Sequence, residues 1–324
     1  MSGKIVGTGS CMPEKIVSND DLAKIVETND AWIRERTGVA RRHISEKETV
    51  VSMACAAAQK ALEDAHMKAE ELDLILMGTS SSGTIFPSAS CMVQKEIGAV
   101  HAACVDVSAA CTGFLAVYQM GQAYIRSGMA DKILLIGADT LSHLVDWTDR
   151  GTCILFGDGA GAAILVSGGS ETACEVMHSD GGRGQALTCD SRHRDGSKEL
   201  SGDPATYIRM DGKAVFQFAL SKVPEVILET LEKAGCTTED IDYYVLHQAN
   251  IRIIDGVVRR LRERPEKFPS NIEEYGNTCA ASVPILLDEL NRAGKLKKGQ
   301  KLVLSGFGAG LSWGTALLEW QKEN

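Results

Sequence analysis

One unit is written twice in this chain, and that duplication constrains its fold more than any other feature. The segment ALEDAHMKAEELDLILMGTSS, from Ala61, lies without a gap over TLEKAGCTTEDIDYYVLHQAN, from Thr230. In that register Leu62, Glu63, Ala65, Glu70 and Asp73 meet Leu231, Glu232, Ala234, Glu239 and Asp242, an offset of 169. The same offset sets DKILLIG, from Asp131, over QKLVLSG, from Gln300, and Ser52 over Ser221. It also sets SAACTGF, from Ser108, over NTCAASV, from Asn277. One register held across about 80 residues is hard to obtain without duplication.

Each copy reads as a helix, a strand, a second buried strand, a helix and a strand. In the first copy Ser45-x-x-Glu48 predicts a capping box opening a helix to about His66. Val51, Ala54, Cys55, Ala58 and Leu62 form its inner face. LDLILMG reads as a buried strand, and Val105 to Ser108 as the end of another. Phe114, Val117, Tyr118 and Ile125 then recur at helical spacing. KILLIG is the next strand, followed by CILF and AAILV as a pair joined by GDGAG. This alternation predicts an α/β fold of mixed sheets covered by helices. A length of 324 residues suits roughly two units of ~150, an N-terminal half over 1–169 and a C-terminal half over 170–324. Residues 180–212 are polar and glycine-rich, a surface excursion of the kind that carries function.

Composition narrows the function classes. The chain is 44% hydrophobic and 24% charged, no apolar run reaches the ~18 residues of a membrane span, and the N-terminus lacks a signal-peptide core. Ten scattered cysteines form no CxxC pair and seven histidines show no zinc-like spacing with them. The expectation is reduced thiols in a cytoplasmic protein with no metal. A net charge of −9 argues against nucleic acid, so any surface for an acidic partner has to be local.

Cys111 stands where a strand hands over to a helix, where unpaired N–H groups and the dipole favour a thiolate. A buried free cysteine is ordinarily inert, so the position needs partners to mean anything. The duplication supplies them. Cys111 falls over Ala280 in EEYGNTCAASVP, so a pseudo-twofold axis brings the loop of Asn277 towards the loop of Cys111. His247, in YYVLHQAN, ends a strand at the kind of sheet edge where ligand chemistry gathers. Alone, the histidine reads as backbone-satisfied and the asparagine as a turn residue. Together, in related positions, they make a Cys-His-Asn set.

DVSAACTGF, LHQANIRI, YGNTCAASVP and GFGAGLSWG closely resemble the signatures of the β-ketoacyl-acyl carrier protein synthase III family, the initiating condensing enzymes of type II fatty-acid synthesis. The likeness runs along essentially the whole chain. It implies a thiolase-like fold of duplicated βαβαβαββ halves, with helices sandwiched between mixed sheets. It implies that Cys111 takes an acyl group from coenzyme A as a thioester. His247 and Asn277 would hydrogen-bond the malonyl thioester carbonyl and stabilise the enolate left by decarboxylation. Attack of that carbanion on the acyl-enzyme gives a 3-oxoacyl carrier protein. The backbone N–H groups of Cys111 and Ala309 would form a second oxyanion hole. Many relatives have glycine at the latter position, and alanine fits if its φ is not strongly positive. No cofactor is implied, since acyl-CoA and malonyl carrier protein are substrates.

Trp32 and Arg150 suit an adenine sandwich and Arg36 a phosphate; the resemblance adds Gly212 and Asn250 to the coenzyme A site. It also places Leu141 and Phe156 in the acyl pocket, with Phe86 reaching it across a homodimer interface. For an acidic carrier protein, Arg252, Arg259 and Arg260 share one helix face starting beside His247. Lys213 and Lys222 would add to them, while Gln217 stands where the family has a second basic docking residue. A thiolase would need a second cysteine near GFGAGLSWG, where there is none. Chalcone-synthase-like polyketide synthases share Cys-His-Asn but are usually longer, and a secondary-metabolite starter enzyme of the same subfamily would keep every motif. A non-catalytic carrier-binding subunit is opposed by the intact trio. The primer stays open, because one methylene is worth only ~1–3 kcal/mol in such a pocket.

Overall fold

Asp73 and Asp242, paired by the repeat, do the same work in both halves. Asp73 Oδ2 accepts the N–H groups of Asp131 and Lys132, each at 2.9 Å, and Asp242 Oδ2 accepts that of Lys301 at 2.8 Å. Each carboxylate thereby fixes where the next strand begins. The computed structural model describes residues 2–170, 173–190 and 207–323. The first half contains β1 (Ser2–Cys11), β2 (Ile16–Ser18), α1 (Asn19–Leu22), α2 (Asp30–Thr37), β3 (Arg41–His43), α3 (Val50–Asp64) and β4 (Leu74–Gly78). It continues with α4 (Ala89–Ile97), β5 (Ala103–Val107), α5 (Gly113–Arg126), β6 (Lys132–Thr140), α6 (Arg150–Cys153) and β7 (Asp158–Gly169). The second half contains β8 (Cys174–Ser179), β9 (Leu187–Thr188), β10 (Arg209–Met210), α7 (Gly212–Lys233), β11 (Tyr243–Leu246) and α8 (Ile251–Leu261). It closes with α9 (Ile272–Tyr275), α10 (Ser282–Arg292), β12 (Lys301–Gly308) and β13 (Ser312–Glu319). At the 169 offset, β4, α5 and β6 start on the counterparts of the first residues of β11, α10 and β12.

The two large sheets have the same order, β1-β7-β6-β4-β5 and β8-β13-β12-β11, and both mix parallel with antiparallel pairs. Alternation along the strands sorts their side chains into layers. Leu74, Leu76, Ile133 and Leu135 face inward, where α5 and α10 lie between the sheets and meet Val245, Leu302 and Leu304 from the other side. Ile75, Met77, Leu134 and Ile136 face outward against α3 and α4, and α7 and α8 cover the second sheet likewise. Phe114, Val117, Tyr118 and Ile125 are buried on α5, as their spacing predicts. Among the described residues, no helix is long and apolar enough to cross a membrane.

Four local expectations change. The α3 cap is Thr49, whose side chain bonds Ser52 reciprocally; the Ser45 N–H instead donates to Asp158, and the Glu48 carboxylate accepts nearby backbone N–H groups. The buried face of α3 is accordingly turned towards Met53, Ala57 and Ala61, leaving Val51 and Cys55 half-buried. CILF is not a strand: Asp149 caps α6, which ends at Cys153, and the pairing there is a single bridge from Phe156 to Asn277. The counterpart of β5 in the second half is the helix α9, so β5 alone forms an unmatched sheet edge. Of the 180–212 excursion, residues 181–186 form a 3₁₀ turn and β9 pairs with β10, while 191–206 lie outside the described residues.

The halves interlock through glycines that the repeat also pairs. A Cβ on Gly137 would lie 2.2 Å from the carbonyl oxygen of Ala280, and one on Gly306 3.2 Å from that of Cys111. Each central strand therefore seats the turn of the opposite half. Gly137→Ala should cost about 1–3 kcal/mol, because backbone has to move. Gly83→Ala, with nothing within 4 Å of the added carbon, should be neutral or slightly stabilising. Denaturant midpoints check this; equal midpoints for both variants would remove the close approach as a constraint.

Candidate active site

Two strained turns face each other between the sheets. Ala110 has φ +43° and opens a 3₁₀ turn over Ala110–Thr112 that runs into α5. Cys279, its counterpart, has φ +52° and opens the turn Cys279–Ala281 before α10. A non-glycine residue at such φ costs on the order of 1–3 kcal/mol and persists only where its surroundings enforce it. Cys111 and Cys279 are both buried, and their sulfurs are 3.6 Å apart.

His247 follows β11 and is 1% exposed. Its N–H donates to Ser305 O at 2.7 Å, its Nδ1 lies 2.6 Å from Ser282 Oγ, and its imidazole acts electrostatically on the Cys111 thiol. Asn277 is held by its backbone: its N–H donates to Leu155 O at 2.8 Å and its carbonyl accepts from Gly157 N–H at 3.0 Å. Its Oδ1 accepts the Cys279 N–H at 2.9 Å, which fixes the carboxamide and leaves Nδ2 to donate. The structure thus brings Cys111, His247 and Asn277 together.

The Cys111 thiol is held well below the usual thiol range, first by its hydrogen bond with the Cys279 thiol, and His247 adds to this against the opposing effect of burial. Cys279 is pushed well above that range by its bond to Cys111, by burial and by the nearby Asp139. Burial raises the Asp139 carboxyl to about 6, although Ser80 N–H (2.8 Å), Ser81 Oγ (2.7 Å) and Ala280 N–H (3.2 Å) donate to it. Sequence reasoning missed Cys279, Ser282 and Asp139. A signal for Cys279 existed, since it adjoins Ala280, the repeat partner of Cys111.

A cavity of about 810 Å³ opens onto Cys111 and is lined by Leu141, Phe156, Cys279 and Ala309 among others. Gly308 presses on the nucleophile, a Cβ there falling 2.7 Å from Cys111 Cβ, whereas Ala309 has no positive φ and is accommodated. Phe86 does not line the cavity of its own chain; it projects outward, 85% exposed, beside Ile85 at 70%.

Away from the cavity lining, the Arg150 guanidinium lies 4.7 Å and that of Arg36 5.8 Å from the Trp32 ring centroid. An aromatic base between two planes needs about 7 Å, so Arg150 would have to swing outward. Gly212 is exposed at the start of α7. Asn250 caps α8 through Oδ1, while its Nδ2 donates to Arg36 O at 3.0 Å, so its carboxamide ties α2 to α8. Arg252, Arg259 and Arg260 are exposed along α8, with Arg252 5.3 Å over the Phe216 ring of α7 and exposed Lys213 at the start of that helix.

Duplicated, interlocked halves that meet on a buried Cys-His-Asn set define a thiolase-fold condensing enzyme. The family 3-Oxoacyl-[acyl-carrier-protein (ACP)] synthase III matches residues 105–182, and its C-terminal domain matches residues 231–320. The chain is 44% identical over 326 residues to a β-ketoacyl-(acyl-carrier-protein) synthase III of Clostridium acetobutylicum, covering 99% of each. Its fold is similar to the crystal structure of 3-oxoacyl-(acyl-carrier-protein) synthase III from Aquifex aeolicus, with TM-score 0.92, 40% identity and coverage of 98% and 100%. It is also similar to the priming β-ketosynthase of the R1128 polyketide pathway, with TM-score 0.93, 34% identity and coverage of 100% and 97%. This chain belongs to the 3-oxoacyl-(acyl-carrier-protein) synthase III family and is a condensing acyltransferase.

Of the ten cysteines, Cys111 should react fastest with sub-stoichiometric iodoacetamide at neutral pH, because Cys55, Cys104 and Cys153 are all pushed up to about 11 or 12 by burial. Peptide mapping checks it; a label concentrated on another cysteine would displace Cys111 as nucleophile.

Proposed function

We propose that this chain transfers the acyl group of an acyl-CoA primer to Cys111 and condenses it with malonyl carrier protein, releasing CO2. The convergence that carries this reading is a lowered thiol, an imidazole and an orientated carboxamide around one buried point beside a cavity. The Cys111 thiolate attacks the acyl thioester, and the coenzyme A thiolate leaves. The N–H groups of Cys111 and Ala309 receive the tetrahedral oxyanion. Malonyl carrier protein then enters, and His247 Nε2–H and Asn277 Nδ2–H donate to its thioester carbonyl. As the C–CO2 bond breaks, its electron pair becomes an enolate that those two donors stabilise. The enolate carbon attacks the acyl-enzyme carbonyl, and Cys111 leaves again as thiolate. Two neutral or cationic donors suit this step where a carboxylate would repel the malonate.

Trp32, Arg36 and Arg150 would take the adenine and phosphate end of coenzyme A. The arginines of α8 and Lys213 would dock the acidic carrier, since α8 begins four residues after His247. A homodimer fits the free edge of β5 and the exposed Ile85 and Phe86, whose apolar surface would then enter the partner's acyl pocket. The likeness to a polyketide priming synthase supports a second reading, a starter enzyme of secondary metabolism with the same chemistry. Turnover on a panel of acyl-CoA primers separates the two.

His247→Ala and Asn277→Ala should each lower malonyl decarboxylation and condensation by roughly 10²–10³, the cost of one oxyanion donor. Acylation of Cys111 should fall far less, while Cys111→Ala should abolish condensation and retain decarboxylation. Loss of acylation in His247→Ala as complete as in Cys111→Ala would make the histidine an obligatory base and end this division of labour. Arg252→Glu should raise KM for the carrier substrate and leave acylation from acyl-CoA unchanged. Equal losses in both half-reactions would remove Arg252 from docking.

A further inference from the structure

The chemistry above uses one of two thiols buried at the site. Cys279 is 3% exposed, and its sulfur is 3.6 Å from that of Cys111. It is fixed from two sides: its N–H donates to Asn277 Oδ1 at 2.9 Å, and its carbonyl accepts from Ser282 Oγ at 3.0 Å. It also occupies a left-handed φ of +52°, where an alanine or glycine would sit with less to position. A strained residue pinned by two site residues, with its side chain against the nucleophile, is an arrangement that asks for a role.

We propose that Cys279 is a further catalytic residue, whose S–H donates a hydrogen bond to the Cys111 thiolate in the free enzyme. This rests on Cys111 being the nucleophile. The titratable groups facing Cys111 are His247 from the end of β11 and Cys279 from the turn before α10, with Asp139 of β6 behind Cys279. Asp139 is the competing acceptor: its carboxylate also interacts with the Cys279 thiol, beside the hydrogen bonds it takes from Ser80, Ser81 and Ala280. With three other donors on Asp139, the thiol proton goes to the Cys111 sulfur while that sulfur carries the charge. No proton is transferred; the S–H bond of Cys279 stays intact throughout. When Cys111 becomes a thioester its sulfur accepts poorly, and the S–H turns to Asp139 instead of being left unpaired. When condensation breaks the acyl–sulfur bond, the electron pair returns to Cys111 and the donor is again in place. Cys279 thus favours the thiolate both as attacking and as leaving group.

The test is the pH dependence of Cys111 alkylation by iodoacetamide, read by mass spectrometry on its own peptide in the full-length protein. In Cys279→Ala the half-point should move up by at least about one pH unit, making alkylation at pH 6 about tenfold slower. Cys279→Ser, which keeps a donor, should stay within about threefold of wild type. Cys279→Gly, which relieves the left-handed φ, replaces the alanine variant if that one fails to fold and should show the same shift. A Cys111 label with coincident profiles in wild type and Cys279→Ala, or a serine variant as slow as the alanine one, overturns the proposal. A wild-type label away from Cys111 overturns the nucleophile assignment and the proposal with it.

Discussion

Everything at this site depends on two turns approaching each other more closely than side chains normally permit. Gly137 and Gly306 stand at equivalent points of the central strands, and each accepts the backbone of the opposite half where a Cβ would collide at Gly137 and crowd at Gly306. That contact sets the separation of the sheets, and with it the space in which α5 and α10 lie side by side. It also brings the residues after Ala110 and those after Cys279 to one place. The polar network of β1 and α10 holds the same interface away from the site. The buried Asp288 accepts from Thr8 Oγ1 (2.8 Å), Ser10 Oγ (2.6 Å) and Arg292 Nε (2.9 Å). A buried carboxylate with three donors is tolerable, whereas stripping them would leave an unpaired charge, so this network resists sliding of one half on the other.

Close approach has an electrostatic consequence. Cys111 is buried, and burial alone would raise its thiol as it raises Cys55 and Cys153. The donors convert the same burial into an advantage, because in a low-dielectric site each hydrogen bond to the charged form counts for more than in water. His247 and Asn277 reach the site through different means. One continues a strand, and the other is pinned by a bridge to Phe156 and by its own side chain capping Cys279. Their donors are aimed before any substrate arrives, which is what stabilisation of a developing enolate requires.

The halves are not equal, and the differences fall where function would use them. β5 has no counterpart strand, since α9 replaces it, and among the described residues it ends the first sheet, while Phe86 and Ile85 stand exposed. The opposite face of the second half carries α8, whose buried Ile253, Ile254 and Val257 leave its arginines outward. One surface offers apolar area and unpaired backbone, the other positive charge on an acidic chain.

The sequence by itself determined the repeat, the alternation of helix and strand, the position of Cys111 ahead of a buried helix and the grouping of Cys111, His247 and Asn277. Those follow from local spacing and from one register, both of which are written in the order of residues. It left the cap of α3 four residues early, because Thr49 and Ser45 are equally good capping residues and only the competing bond from Ser45 to Asp158 decides between them. It read CILF as a strand, since four apolar residues carry no sign of whether a sheet has room for them. Tertiary structure alone decided that Cys279 meets Cys111, that Phe86 faces away from its own cavity, and that Arg150 lies on Trp32 rather than apart from it. Each of these depends on a distance between segments remote in the chain. Periodicity says which face a residue occupies, but only packing fixes how close two faces come.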